Sequence, residues 1–168
     1  MPVPATRAEV ALAARLLSAC RARGLTLAAA ESCTGGLIGH LLTEVPGASD
    51  VFAGGIVSYG DAAKVALLGV AASEIARHGA VSGQVALAMA EGAKRRFGTD
   101  LAISVTGIAG PSGGGPGKPI GLTFVAMADA SGHVVRRHVW TGDRGANKRA
   151  SAAAAMTLAL ERLGDAGA

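Results

Sequence analysis

Ser32, Cys33 and Thr34 stand in a row before Gly35 and Gly36, where an apolar strand-like run (Leu25, Leu27 to Ala30) gives way to a helix-like one from Leu37 to Val45. A junction of that kind presents hydroxyls at a helix start. Its glycines let a ligand approach the backbone, and the N–H groups of a first helical turn favour developing negative charge. The stretch from Ala30 through Glu31 to Gly36 therefore reads as a reaction centre. No serine in the chain satisfies S-x-x-K, so a base for Ser32 has to come from elsewhere. Lys64, in Val57-Ser58-Tyr59-Gly60-Asp61-Ala62-Ala63-Lys64, follows the second predicted strand and meets Ser32 if both strands end on the same sheet edge. A lysine partly removed from water has a lowered pKa and accepts a hydroxyl proton.

Each of these residues also has a plain structural reading. Ser32 fits a helix N-cap, Lys64 a solvated helix position and Tyr59 a strand-end aromatic with its hydroxyl at the surface. Cys33 lacks a basic neighbour in sequence and fits a small buried apolar residue, and Thr106 fits a strand end. Arg144, Lys148 and Arg149 place positive charge at the expected N-terminus of the last helix, where the dipole disfavours cations. A phosphate held by helix N–H groups and the Arg144 guanidinium resolves that conflict; Asp143 as helix cap is the competing explanation.

The fifteen residues from Gly107 to Gly121 hold seven glycines and have the look of a ligand loop. They fail the phosphate-loop pattern, because Lys118 is followed by Pro119, and no start within them satisfies G-x-G-x-x-G. Gly110-Pro111-Ser112-Gly113-Gly114 matches G-x-S-x-G, but Ser112 lies inside the loop and not between a strand and a helix, which makes the match one of chance.

The elements that have to position these groups can be read in order. Thr6 and Glu9 have capping-box spacing ahead of an amphipathic helix carrying Val10, Ala13, Leu16, Leu17 and Cys20, with Gly24 as its stop. A strand near Leu25 to Ala30, a helix from about Gly35 to Val45, and a strand from Val51 to Tyr59 with a bulge or close backbone approach follow. A short helix carries Lys64, two more span Ser73 to Arg77 and Ser82 to Phe97, and Lys94, Arg95 and Arg96 complement the dipole at the end of the second. Leu101 to Val105 is a buried strand, Ile120 to Ala128 pairs with His133 to Trp140 as a hairpin, and an Ala-rich helix runs from about Arg144 to Leu163. An antiparallel hairpin in an otherwise alternating chain predicts an α/β fold, a three-layer α/β/α sandwich with a mixed sheet, as a single domain over 1–168.

Composition narrows the function classes. Half of the 168 residues are apolar, which is ample for one core, and no run approaches the roughly 20 apolar residues of a membrane span. Arg7 and Glu9 interrupt any secretory-type leader, so a cytoplasmic location is expected. Two cysteines and four scattered histidines offer neither a disulfide framework nor metal-ligand spacing. A net charge of +4 suits an anionic ligand, yet one Tyr, one Trp and three Phe, none interleaved with basic residues, speak against nucleic acid.

Taken together, AESCTGG at 30–36, VFAGGIVSYGDAAK at 51–64, HGAVS at 78–82, SVTGIAGPSGG at 104–114, KPIGLTFVA at 118–126 and GDR at 142–144 resemble one family, in order, over about residues 8 to 163. It is the nicotinamide-nucleotide amidohydrolase family, also described as the C-terminal domain of competence/damage-inducible protein A. The resemblance implies hydrolysis of nicotinamide mononucleotide to nicotinic acid mononucleotide and ammonia. It places the nucleophile on Ser32, with Tyr59 and Lys64 as its catalytic partners, and Thr106 and Arg144 in the substrate site. In the scheme it suggests, Lys64, assisted by Tyr59, deprotonates Ser32, and N–H groups near Cys33, Thr34, Gly35 and Gly36 face the oxyanion. The phosphate falls to Arg144 and the backbone of the loop beginning at Gly107.

No metal and no cofactor enter that scheme. The expected partner is a small nucleotide, with neither nucleic acid nor membrane, and relatives imply a homo-oligomer, a dimer or larger. The chain departs from its relatives at Gly60-Asp61, where they often carry Ser-Asn, and in the glycine loop; some also carry an N-terminal domain for which 168 residues leave no room. A different class of function, a non-catalytic nucleotide-binding module in a competence- or DNA-damage-related assembly, would use the glycine loop and Arg144 but needs no activated hydroxyl.

Overall fold

The computed structural model describes residues 4–165, so the ends of the predicted 1–168 domain lie outside the described residues. In chain order the elements are α1 (Arg7–Ala22), β1 (Leu27–Glu31), α2 (Leu37–Thr43), β2 (Phe52–Val57), α3 (Asp61–Leu68), α4 (Ala72–His78), α5 (Gly83–Phe97), β3 (Leu101–Gly107), β4 (Leu122–Asp129), β5 (Gly132–Val139) and α6 (Arg144–Arg162). Thr6 and Glu9 close the reciprocal capping box that their spacing predicts, at 2.7 and 3.2 Å. A 3₁₀ turn at Ala48–Asp50, which the sequence pattern does not signal, joins α2 to β2.

The five strands form one sheet in the order β2-β1-β3-β4-β5. β1 runs parallel to both β2 and β3, whereas β3, β4 and β5 pair antiparallel, so the sheet is mixed as predicted. The expected bulge is present: Leu27 pairs with Phe52 but Ala28 pairs with Gly54, leaving Ala53 as the extra residue. β1 is buried along its whole length because both of its faces are covered.

Alternation along the strands sorts the core into two layers. Leu27, Ala29, Leu101, Ile103, Val105, Val125 and Met127 face α1, α2 and α6. On the other face the sheet presents Ala28, Ala30, Ala102, Ala126 and Ala128, small residues over which α5 lies directly. The result is the three-layer α/β/α sandwich. No helix among the described residues is long and apolar enough to cross a membrane.

Two details fix α3, the helix that carries Lys64. The basic residues at the end of α5 do not only answer their own helix dipole: Arg96 donates to the Leu67 and Ala66 carbonyls at 2.8 and 3.1 Å, satisfying acceptors that the last turn of α3 leaves unpaired. Gly92 of α5 lies so close to α3 that a Cβ there would collide with the Leu68 carbonyl. Gly92→Ala therefore has to push the two helices apart and is expected to cost about 1–3 kcal/mol. Urea unfolding should show a lower midpoint at unchanged slope; an unchanged midpoint would mean the helices are not locked by that contact.

Candidate active site

Because β1, β2 and β3 run parallel, their carboxyl ends lie side by side, and the segments that follow them share one edge of the sheet. The ladder continues one residue beyond the strands, with Ser58 N–H donating to the Glu31 carbonyl at 2.8 Å and Ser32 N–H to the Val105 carbonyl at 3.0 Å. After β1 the chain crosses by α2 on one face; after β2 it crosses by α3, α4 and α5 on the other. Connections that leave on opposite faces open a crevice at the carboxyl ends of the strands, the usual ligand position in such sheets.

At this crevice the two predicted partners meet. Lys64 is 1% exposed, and its Nζ donates to Ser32 Oγ at 3.0 Å, to the Ser58 carbonyl at 2.8 Å and to the Tyr59 carbonyl at 3.2 Å. Burial pulls its pKa below the ordinary 10.5, opposed in part by Asp61 one turn earlier and by Cys33. Carbonyl oxygens can only accept. A neutral Lys64 therefore keeps its two N–H bonds on Ser58 and Tyr59 and turns its lone pair to Ser32, whose hydroxyl becomes the donor. In that state the Ser32 hydroxyl hydrogen lies along the Oγ–Nζ contact.

The turn bearing Ser32 differs from its expected form. Gly35 and Gly36 adopt φ of +61° and +100°, α2 begins at Leu37, and Gly36, not Ser32, occupies its N-cap position. The capping group is Glu31, whose Oε2 accepts from Gly36 and Ile38 N–H, both at 3.1 Å, and whose Oε1 accepts from Gly39 N–H at 2.9 Å. The helix end anticipated as an anion site is therefore already filled by a carboxylate. Gly35 N–H is taken by the Ser32 carbonyl at 3.0 Å. Of the four N–H groups expected to face an oxyanion, those of Cys33 and Thr34 alone lack another residue as acceptor among the described residues.

Cys33 is buried, and burial pushes its thiol up to about 11, so it stays protonated near neutral pH while Ser32 beside it meets the amine. Thr106 donates its hydroxyl to the Ala80 carbonyl at 2.9 Å, and Thr34 donates to Glu31 Oε2 at 2.6 Å. Tyr59 reaches Lys64 through its carbonyl, not its phenol; its side chain is 62% exposed and its hydroxyl accepts from Arg144 Nη2 at 3.2 Å. Arg144 also donates through Nη1 to the Gly110 carbonyl at 2.7 Å, which ties α6 to the glycine loop. The N-terminus of α6 itself is capped by Asp143, which accepts from Ala146 N–H at 2.8 Å, so the charge conflict at that helix start is answered without an anion.

These groups surround a cleft of about 250 Å³ whose walls include Ser32, Cys33, Thr106, Gly107, Tyr59 and Arg144. Thr34, Gly35 and Gly36, predicted to bind substrate, are not part of that lining. Asp61 and Ser112 also line it without having been assigned a role; the spacing of Asp61 three residues before Lys64, one helical turn, was the available signal for the former. No group of three or more His, Cys, Asp or Glu side chains among the described residues is placed to hold a metal ion.

Comparison with known proteins places this site in a family context. The family model described as "CinA C-terminal domain" matches residues 9–163. A CinA-like protein of Salinibacter ruber is 50% identical over 155 residues, covering 92% of this chain and 38% of that protein. One from a Mycobacterium species is 52% identical over 143 residues, covering 84% of this chain and 34% of that protein. The chain thus spans about a third of the length of the curated relatives it matches. Among solved structures, a CinA superfamily protein of Klebsiella pneumoniae superposes with a TM-score of 0.90 at 34% identity, covering 93% of this chain and 98% of that one. The competence/damage inducible protein CihA of Agrobacterium tumefaciens gives 0.88 at 38% identity, covering 98% and 99%.

The geometry predicts a pH dependence that needs no knowledge of the substrate. Phosphonylation of Ser32 by a fluorophosphonate should slow as pH falls through the pKa of Lys64, because the ammonium cannot accept the serine proton, and that limb should lie below 10.5. Lys64→Met should label at least about 10²-fold more slowly. Labelling of equal rate in that variant would remove Lys64 from the proton path.

Proposed function

The chain belongs to the CinA C-terminal domain family, and on that premise we propose that it is a serine amidohydrolase converting nicotinamide mononucleotide and water to nicotinic acid mononucleotide and ammonia. The observation that carries the reading is the 3.0 Å contact between Ser32 Oγ and a buried Lys64 Nζ at the floor of a ligand-sized cleft. A binding module has no use for a buried amine aimed at a serine hydroxyl, whereas acyl transfer through a serine requires a base beside it, a role this amine can fill.

The reaction follows from the contacts. Ser32 Oγ gives its proton to neutral Lys64 and attacks the carboxamide carbon, and the carbonyl oxygen becomes an anion facing the N–H of Cys33, the residue of this turn that lines the cleft beside Ser32. Lys64 then returns the proton to the departing nitrogen, which leaves as ammonia, with the acyl group on Ser32. Water enters, Lys64 takes its proton, and the hydroxide attacks the ester; as the intermediate collapses, the Lys64 ammonium gives that proton to the departing Ser32 Oγ, which releases the carboxylic acid and restores both the hydroxyl and the neutral amine. The Ser58 and Tyr59 carbonyls hold Nζ in place through both half-reactions. Arg144, at the outer wall, supplies the positive charge for the phosphate by exchanging its neutral partners, Tyr59 Oη and the Gly110 carbonyl, for phosphate oxygens.

Ser32→Ala should lower ammonia release from nicotinamide mononucleotide by at least about 10³-fold while leaving its dissociation constant within a factor of about three. Retained turnover in that variant, or no ammonia from the wild-type chain, would overturn the reading.

A further inference from the structure

Glu31 immediately precedes Ser32 and takes no part in the proton transfers above. It is 2% exposed, and its carboxylate has no cationic partner among the described residues. Four donors take the place of a cation: Thr34 Oγ1 at 2.6 Å and the N–H groups of Gly36, Ile38 and Gly39 at 2.9–3.1 Å. Charge-assisted bonds of this number to one buried group are stronger and more geometrically demanding than neutral ones. Their placement is what matters. Glu31 is the last residue of β1 and its partners lie three to eight residues ahead, so one side chain clamps both ends of the turn that carries Ser32 and Cys33.

We propose that Glu31 is a positioning residue for the reaction: its carboxylate sets the angle between the Ser32 hydroxyl and the Cys33 N–H group at the cleft. By occupying the donors at the start of α2, it also keeps the oxyanion from those N–H groups. The carboxylate does not touch Lys64, so the base keeps its own environment when Glu31 changes. This inference rests on the proposed acyl transfer at Ser32.

Glu31→Gln preserves shape and leaves one oxygen for Thr34, Gly36 and Ile38, but sets an amide NH₂ against the Gly39 N–H, donor against donor. The expected result, measured per folded molecule, is a fall in kcat of about tenfold or more with KM within about threefold. The rate of Ser32 phosphonylation by a fluorophosphonate should fall by a similar factor, and the acid limb set by Lys64 should stay where it is in the wild type. If Glu31→Gln does not fold, Thr34→Val carries the test, because it deletes the 2.6 Å hydroxyl contact and keeps the Thr34 N–H; it should also lower kcat selectively, and Thr34→Ser should recover most of the loss.

Wild-type kcat and phosphonylation rates per folded molecule in Glu31→Gln, with a lowered Tm alone, would make Glu31 a purely structural cap and overturn the proposal. An unchanged kcat in Thr34→Val, where that is the variant available, would overturn it in the same way. A wild-type chain that releases no ammonia but whose Ser32 is phosphonylated at a rate dependent on Glu31 would sink the nicotinamide mononucleotide reading and support the role of Glu31.

Discussion

A lysine amine withdrawn from water and facing a serine hydroxyl is the contact on which the rest of this structure depends. Burial disfavours the ammonium, and no carboxylate among the described residues answers it in hydrogen-bonding contact: Lys64 Nζ is held by one hydroxyl and two carbonyls. Those carbonyls, of Ser58 and Tyr59, accept from ammonium and from amine alike, so both contacts can persist in either state. Of the three partners only the Ser32 hydroxyl changes from acceptor to donor when the amine loses its charge.

The fold provides that contact by topology. Ser32 and Lys64 are 32 residues apart, and they meet because β1 and β2 are parallel neighbours whose following segments leave the same edge of the sheet on opposite faces. The small residues beneath α5 let that helix lie close to the sheet, and α5 in turn grips α3 through Gly92 and Arg96. On the other side, α6 reaches back to the glycine loop by Asn147 to the Ala109 carbonyl at 3.0 Å and by Arg144 to Gly110. The site is therefore suspended between two helices from opposite layers, and its geometry is set by packing that lies well away from the reacting atoms.

What could be read from the residues beforehand follows a physical division. Periodicity and turn chemistry locate every strand and α-helix, because burial on a sheet face or helix stripe leaves a period in the sequence. Meeting of Ser32 and Lys64 required only that both strands point the same way. Contacts made by single side chains across space were not legible. Nothing in the spacing says that Glu31 turns forward to cap α2, that the Tyr59 hydroxyl turns to Arg144 while its carbonyl serves Lys64, or that Arg96 also satisfies carbonyls of a neighbouring helix. Each of those outcomes depends on which acceptor lies within reach once the backbone is placed, and that is decided by tertiary packing.

The central claim is that the protein lowers the proton affinity of one lysine and aims it at one serine. Titration of the Lys64 side chain by NMR, in protein labelled with ¹³C and ¹⁵N at lysine, tests it most directly. The account predicts that Lys64 titrates below the ordinary 10.5 and that its signal shifts when Ser32 is replaced by Ala. A Lys64 that titrates at or above 10.5, or whose signal is indifferent to the loss of the Ser32 hydroxyl, would contradict it.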